Sequence, residues 1–467
     1  ALAPLADPAM LGVENLGHAS AATVLFQRAT VAASELALAA AVAACVRRHR
    51  LRGDRATFAV AASLLSPGVL LVDHVHFQYN GVFLGVLACC AGFLVKGQHV
   101  RAAVAFTLLM CMKHLFLTLA PFFGVYLLFA HVLAEKTTLG EKVLRLVDLG
   151  AAVTATAAAS LAPLVVPAFH DRGGLAGVGA ALGELKGRLF PFGDRGLVHS
   201  YWAPNAWALY AFLDRVAMKA SGREGGGATR GVVETQIEYL PAPGPLHCAL
   251  LTLLAAAPAL LAAARTASTQ SGARGIALPA LAHACLAAFA FGWHVHEKFL
   301  LVALMPLALL ALEGRPRDVV VFRQAAGLAT FAVLPLIPGG ADGVTKLLVV
   351  GAEELVLRAA FGGSAFPGES VHCAIMAALV ALKEVWPLAL GGRLEFLPLM
   401  LTSVYGAVAV VALTAYSSRR LLQAAMRRDA GDWEASVAAP SPRRPRAKQP
   451  RSLLKTICSL LGSRDED

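Results

Sequence analysis

Residues 276–313 read IALPALAHACLAAFAFGWHVHEKFLLVALMPLALLALE, two apolar runs joined by a short polar segment. Each run is close to the roughly 17–25 residues that cross a bilayer as a helix. The joining segment WHVHEK (293–298) holds two histidines, a glutamate and a lysine. Because a charged side chain at the bilayer centre costs about 2.5–3.5 kcal/mol on insertion scales, such clusters are rare and usually functional. The stretch predicts two membrane-spanning helices that meet at a functional turn.

The whole chain shares this organisation. Of its 467 residues, 57% are hydrophobic and 15% are charged, against about 25% charged in a typical soluble domain. This composition predicts an all-α, polytopic membrane protein and argues against a soluble one. We predict about 13 transmembrane helices, at 20–46, 56–72, 81–95, 101–117, 118–134, 147–168, 246–264, 276–292, 299–313, 318–337, 346–360, 373–390 and 396–417.

Lysine and arginine are concentrated in alternate short loops, among them Arg47–Arg55. The positive-inside rule assigns these loops, and a basic tail, to the cytosol. The polar motifs then lie on the opposite, luminal face. Five parts follow: a luminal remnant at 1–19, membrane modules at 20–168 and 246–418, a luminal loop at 169–245 between them, and a disordered cytosolic tail at 419–467. The net charge of +11 needs no nucleic-acid partner.

The motif DHVHFQYN (73–80) lies where another apolar run ends. Its side chains suit sugar hydroxyls and phosphate oxygens, and its aromatic rings can stack on a pyranose. The alternative is interfacial anchoring, in which aromatic residues lie at the headgroup level. The candidate substrate-binding residues here are Asp73, His74, His76, Gln78, Tyr79 and Asn80.

In WHVHEK, His294, His296 and Lys298 can supply positive charge, and Glu297 can pair with Lys298 or orient an imidazole. One alternative is an ion cluster that only fixes helix packing. Another is a zinc site made by the two HxH pairs with Asp73 and Glu297, since zinc takes histidine and carboxylate ligands. HxH alone is a weak signal, so we expect no metal.

Further candidates lie between the two motifs. Lys113 and His114 interrupt an apolar run, and they either face the same cavity or cap the end of a span. The 169–245 loop is rich in arginine and aromatic residues, which suits a phosphate site or, alternatively, a helix lying on the membrane. The candidates in this loop are Arg188, Arg195, His199, Trp202 and Asn205.

At these residues the sequence resembles the endoplasmic-reticulum glucosyltransferases that use dolichyl phosphate glucose to extend the lipid-linked oligosaccharide for N-glycosylation. The blocks DHVHFQYNG (73–81), KH (113–114), RLFPF with RGL (188–197) and FGWHVHEK (291–298) occur in the family's order. The block HSYWAPNAWALY (199–210) is similar to the member that adds the second glucose.

The resemblance implies a GT-C-type glycosyltransferase of the endoplasmic reticulum membrane that makes an α-1,3 linkage by inversion, with no metal or other cofactor. The implied donor is dolichyl phosphate glucose, and the implied acceptor is a dolichyl-diphosphate oligosaccharide that already bears one glucose. Membrane lipid surrounds the enzyme, and no obligate protein partner is expected. We expect His296 and Lys298 to stabilise the leaving phosphate, with Lys113, His114, Arg188 and Arg195 as second choices.

Members of this family carry a further span and an acidic luminal loop ahead of the matched region, and that loop holds the expected catalytic aspartate. The sequence in hand begins with ALAPLADPAM, which does not match the acidic motif, so we do not transfer the role to Asp7. We therefore expect an amino-terminally truncated chain that lacks a complete active site, and we assign no catalytic base.

Three rival functions remain open at this point. The enzyme that adds the first glucose shares DHVHFQYN and the HEK ending. A carrier or flippase for lipid-linked sugars would also need many spans and buried polar groups, although the chain lacks the internal repeats that carriers often show. A dolichol-dependent mannosyltransferase would differ in its donor sugar.

Overall fold

The computed structural model describes residues 3–12, 14–48, 66–75, 77–192, 196–199, 201–222, 237–313, 315–337, 343–361, 368–390, 394 and 396–426. These residues form helices, turns and loops, and they contain no strand. The all-α prediction is confirmed for this part of the chain.

The helices of the amino-terminal half are α1 Ala21–Arg48, α2 Pro67–Leu70, α3 Asn80–Val95, α4 His99–Met112, α5 Ala120–Leu127, α6 Leu139–Asp171 and α7 Gly174–Leu189. Shorter helical turns flank two of them. A π-helical turn, Leu71–Val75, follows α2, and α5 lies between a 3₁₀ turn, His114–Leu119, and a π-helical turn, Leu128–Val132.

The helices of the carboxyl-terminal half are α8 Ala206–Ala220, α9 Pro245–Thr266, α10 Gln270–Phe291, α11 Leu300–Ala311, α12 Pro316–Val333, α13 Gly343–Phe361, α14 Glu369–Leu390 and α15 Leu397–Met426. Residues 419–426 continue α15, where the sequence analysis expected a disordered tail. The Arg420 guanidinium donates to the Asp318 carboxylate over 2.6 Å, and this bond ties the end of α15 to the start of α12.

Local sequence explains where several helices begin. Thr138 and Glu141 form a capping box at α6, in which each side chain bonds the other's backbone amide. Thr269 caps α10 through the Gly272 amide. Near the amino terminus, the Asp7 carboxylate accepts hydrogen bonds from Ser20 and His18. These bonds lower the pKa of Asp7 to about 2, so Asp7 has a structural part in the described fold.

Seven helical segments of the described chain are long and apolar enough to cross a membrane, and two shorter apolar helices, α3 and α4, accompany them. The seven are Ala21–Ala44, His114–Val132, Leu139–Asp171, Pro245–Thr266, Gln270–Phe291, Pro316–Leu336 and Leu397–Met426. A multi-helix membrane protein is thus confirmed, while the number of about 13 spans stays a prediction. Most of the 56–72 span lies outside the described residues.

Several boundaries differ from the predicted ones; for example, α6 begins at Leu139 rather than at 147, and α15 continues to Met426 rather than ending at 417. The predicted junction between the spans 101–117 and 118–134 lies instead at Lys113, because α4 ends at Met112 and Lys113 is extended, with φ −149° and ψ 105°. The predicted 169–245 loop contains two helices, α7 and α8.

The core is centred on α10 and α11, whose side chains are buried on nearly all sides. α10 packs against α9, α11 and α15. At the crossing of α1 and α3, a Cβ atom on Gly85 would lie 2.9 Å from the Leu38 amide nitrogen, so only glycine permits this approach. α6 is peripheral, and its apolar side chains are mostly exposed, as expected for contact with lipid.

Candidate functional site

Asp73 closes the DHVHFQYN motif into a compact turn. It is completely buried. Its Oδ1 atom accepts from the Asn80 amide and side chain, over 3.0 and 2.8 Å, and its Oδ2 atom accepts from the Gly81 amide over 2.6 Å. These amides belong to the first turn of α3, whose donors otherwise lack partners. This geometry favours a positioning role for Asp73 over the predicted contact with substrate.

Helix α1 holds the other side of the same motif. Glu35 Oε1 lies 2.9 Å from His74 Nε2, and the Thr30 hydroxyl lies 3.1 Å from the Tyr79 hydroxyl. The sequence analysis missed Glu35 and Thr30. A signal for Glu35 was present in the sequence, since it follows Arg28 by seven residues within an apolar run. This spacing places the two charged side chains on one face of a helix.

Phe77 lies in the middle of the motif with a φ of +53°. This left-handed conformation is uncommon for a residue with a bulky side chain. The Arg28 guanidinium lies 5.8 Å from the centre of the Phe77 ring, so α1 also contacts the strained residue. Gln78 lies beside it, and its Oε1 atom accepts from Asn80 Nδ2 over 3.1 Å.

Lys113 joins the two sequence motifs. Its ammonium group donates to Asn80 Oδ1 over 3.2 Å and lies 5.0 Å from the Phe83 ring centre. In the turn that follows, the Phe116 ring lies 6.3 Å from the ring of Phe299, the neighbour of Lys298. The break between α4 and the following 3₁₀ turn places Lys113 here. The next residue, His114, packs edge-on against Phe190 at 5.7 Å between ring centres.

The WHVHEK turn is also strained. His294 has a φ of +48°, and its backbone amide donates to the Leu197 carbonyl over 3.2 Å. Its Nδ1 atom lies 2.9 Å from the Gly196 carbonyl oxygen. These bonds fasten the turn to the segment 196–199.

Three histidine rings meet at this turn. The ring centres of His199 and His296 are 4.6 Å apart, and the ring centre of His294 lies 5.7 Å from each of them. Glu297, the neighbouring residue, is almost fully buried. Burial raises the pKa of Glu297, against the opposing effects of backbone hydrogen bonds and of Lys298. We call Lys113, Lys298, His199, His294 and His296 together the cationic site.

The YWAPN block supports the WHVHEK turn from behind. Asn205 caps α8 through the Trp207 amide and donates to the Phe289 carbonyl over 3.1 Å. The Trp207 indole donates to the Gly292 carbonyl over 3.0 Å. Trp202 is buried, and its carbonyl accepts from the Ser403 hydroxyl over 2.8 Å. Trp202 and Asn205, both predicted substrate contacts, thus bond with the protein itself.

A buried carboxylate fixes the chain that follows α8. Asp214 accepts from the amides of Glu238, Tyr239 and Leu240, over 3.2, 2.9 and 2.7 Å. Burial by itself would raise the pKa of Asp214, but the three amides outweigh it and hold this pKa below its usual value. Residues 238–240 are therefore held against α8, the helix that begins with the YWAPN block.

The structure brings together some of the predicted site residues. Asn80 bonds with Lys113, the three histidine rings cluster with one another at the WHVHEK turn, and His74 and Tyr79 face α1. Arg188 lies exposed in the last turn of α7. His76 and Arg195 lie outside the described residues. Within the part of the chain that is described, no three histidine, cysteine or carboxylate side chains are placed to share a metal ion.

The described chain is a bundle of apolar helices, several of them long enough to cross a membrane, with histidine- and lysine-bearing turns between them. The chain belongs to the ALG6, ALG8 glycosyltransferase family, because the sequence model of that family matches residues 1–416. It is therefore a glycosyltransferase, and the predicted family and enzyme class are confirmed.

Curated relatives are similar over most of their length. A Neurospora crassa protein named dolichyl pyrophosphate Glc1Man9GlcNAc2 alpha-1,3-glucosyltransferase is 35% identical, with 88% of this chain and 83% of the relative covered. Proteins of the same name from Mus musculus and Arabidopsis thaliana are 32% and 31% identical, covering 86% and 90% of this chain and 80% and 84% of the relatives.

Proposed function

We propose that this chain transfers glucose from dolichyl phosphate glucose to a dolichyl-diphosphate-linked oligosaccharide that already bears one glucose, forming an α-1,3 linkage. The names of the relatives support the acceptor and the linkage, and the HSYWAPNAWALY block supports the second glucose over the first. The donor is proposed from the resemblance of the four sequence blocks to the family.

The observation that carries the proposal is the position of Lys113 between the two motifs. Its ammonium group donates to Asn80 over 3.2 Å, and the Phe116 ring of the following turn lies 6.3 Å from the ring of Phe299, the neighbour of Lys298. Ammonium groups at neighbouring turns repel each other, and burying either of them costs hydration. An anion between them removes the repulsion. Phosphate is such an anion, so the pair suits a polyprenol-linked phosphate better than a neutral sugar.

The proposed reaction is a displacement at the anomeric carbon of glucose. A 3-hydroxyl of the terminal acceptor glucose attacks from the face opposite the phosphate, which inverts the β-linked donor to an α product. The bond between the anomeric carbon and the phosphate oxygen breaks, and its electron pair stays on dolichyl phosphate. A general base takes the hydroxyl proton, an effect typically worth 10²–10⁴-fold, and no residue of the described site is assigned to that role.

In this mechanism the cationic site acts on the leaving group. Lys113 and Lys298 stabilise the charge that develops on the phosphate, and preorganised donors in a poorly solvated site do this better than water. The three histidines bind phosphate oxygens or sugar hydroxyls, and Asn80 holds Lys113 in place. Asp73, Asn205 and Trp207 fix the turns that present these groups.

We further propose a GT-C-type arrangement of about 13 spans in the endoplasmic reticulum membrane with the site facing the lumen. Its support is the excess of lysine and arginine in alternate loops. When the basic loops are assigned to the cytosol, the turns that form the cationic site fall on the luminal side.

A transfer assay with defined lipids tests the proposal. Purified enzyme in liposomes receives dolichyl phosphate glucose or dolichyl phosphate mannose, each with acceptor lipid bearing either no glucose or one glucose. We expect label in the product only from the glucose donor and the monoglucosylated acceptor. Product from the unglucosylated acceptor alone would indicate the first-glucose enzyme, and movement of lipid-linked sugar without a new glycosidic bond would indicate a carrier.

The Glu35 and His74 pair makes a separate prediction. Replacing Glu35 with glutamine removes the charge that orients the imidazole, and we expect kcat/KM for transfer to fall about tenfold, since a hydrogen bond to a charged group contributes about 1.5–3 kcal/mol. Glu35→Asp keeps the charge and should retain more activity. Glu184→Gln, on an exposed glutamate of α7, is the control. Equal activity of Glu35→Gln and the control would contradict a positioning role for Glu35.

A further inference from the structure

A large cavity lies between α12, α13 and α14, and none of its lining residues belongs to the cationic site. Its volume is about 320 Å³, within the range of ligand pockets. Most of its wall is apolar, with Phe331, Val350 and Met376 among the lining residues. A neighbouring cavity of about 330 Å³, bounded by α2 and α11–α13, shares Glu353 with it.

Ionic groups at one side of this cavity are tightly paired. The Arg323 side chain is almost completely buried, and it contacts Glu354 over 3.1 Å and Glu369 over 2.8 Å. Arg358 forms a second ion pair with Glu354. The two guanidinium groups are therefore held by two carboxylates, Glu354 and Glu369.

Glu353 is the third carboxylate of the cluster. It is more than nine-tenths buried, and it lines both cavities. No cation among the described residues forms an ion pair with it. Thr330 and Glu354 also line the first cavity. Among the described residues of this cluster, Glu353 is thus the carboxyl group that forms no ion pair with a guanidinium, and it lines both cavities.

This arrangement selects a chemical class of ligand. The ionised form of a buried carboxyl group is unfavourable without a cation, and a ligand that brings a positive charge with hydrogen-bond donors stabilises that form. The apolar wall favours a hydrocarbon chain on the same ligand. A headgroup with a phosphate but no ammonium group would offer Glu353 no cationic partner.

We propose that this cavity binds a membrane lipid whose headgroup ends in a protonated primary amine, with the ammonium group at Glu353 and part of an acyl chain along Phe331 and Met376. The site is separate from the transfer reaction, and it does not depend on the identity of the donor or acceptor. It gives the enzyme a preference for one headgroup in the surrounding membrane.

The test compares lipids that differ only in the headgroup amine. Purified enzyme in detergent receives phosphatidylethanolamine, whose ammonium donates hydrogen bonds, or phosphatidylcholine with the same acyl chains, whose quaternary ammonium cannot. Bound lipid is counted by native mass spectrometry across a titration. We expect phosphatidylethanolamine to bind at least about tenfold more tightly, a difference of about 1.4 kcal/mol. We also expect Glu353→Gln to lose this preference.

Two further variants and a soluble amine complete the design. Val350→Phe fills the cavity while keeping the carboxylate, and it should weaken binding of the lipid if Glu353→Gln does not fold. Glu184→Gln should bind as the unaltered enzyme does. Equal binding of the two lipids, or an unchanged preference in Glu353→Gln, would overturn the proposal. Displacement of the lipid by ethanolamine alone at the same concentration would also overturn it, in favour of a soluble amine.

Discussion

Replacing Lys298 with alanine should lower kcat for glucose transfer at least about a hundredfold. The expected size follows from the loss of single preorganised donors at developing negative charge, which costs about 10²–10³ in kcat. Lys298 lies in the WHVHEK turn, beside Phe299, whose ring lies 6.3 Å from that of Phe116 in the turn that follows Lys113. Removing it leaves Lys113 alone to stabilise the dolichyl phosphate that departs.

The measurement is turnover of labelled dolichyl phosphate glucose by enzyme in liposomes, with protein amount and helical content checked in parallel. Lys298→Arg keeps the charge and should restore part of the rate. Lys219→Ala, at the exposed end of α8, serves as the matched control. Turnover of Lys298→Ala within twofold of that control would refute the phosphate role.

Replacing Asp73 with asparagine should damage both stability and activity. The substitution keeps the shape of the side chain but removes its charge. It also replaces one of two acceptor oxygens with an NH₂ group, and those oxygens face the Asn80 and Gly81 amides. Because a buried donor without an acceptor costs about 1–3 kcal/mol, we expect a lower thermal midpoint. We also expect at least a thirtyfold loss of transfer, roughly 2 kcal/mol of transition-state stabilisation.

Thermal unfolding followed by intrinsic fluorescence measures the first effect, and the liposome transfer assay measures the second. Asp171→Asn, at the exposed end of α6, should change neither. If Asp73→Asn kept the thermal midpoint of the unaltered enzyme, the capping role of Asp73 would be wrong. A shifted midpoint with full activity at low temperature would show that the cap does not position the site.

The fold class was readable from the sequence because hydropathy alone defines helices long enough to cross a bilayer. The junction at Lys113 was harder to place. The residues after it, HLFLTL, are as apolar as those before it, so the hydropathy pattern continues through the break. The position of the break follows from a contact between distant segments, the bond from Lys113 to Asn80.

Contacts between distant segments also limit what the sequence indicates about the site. The convergence of DHVHFQYN, Lys113 and WHVHEK is expected from their common side of the membrane, and the bond from Lys113 to Asn80 joins the first two of these. The bond between Glu35 and His74 joins residues 39 positions apart, and nothing in the motif itself points to its partner. Buried Asp73 and Asn205 read as ligands in the sequence because carboxylates and amides bind sugars and also cap helices.

The left-handed backbones of Phe77 and His294 have a consequence for the heat sensitivity of this enzyme. A non-glycine residue in that conformation carries strain of order 1–3 kcal/mol, and it persists only while its surroundings hold it. Both strained residues belong to the turns that present the reacting groups. We therefore expect warming to inactivate the enzyme through these two turns while the surrounding helices remain assembled.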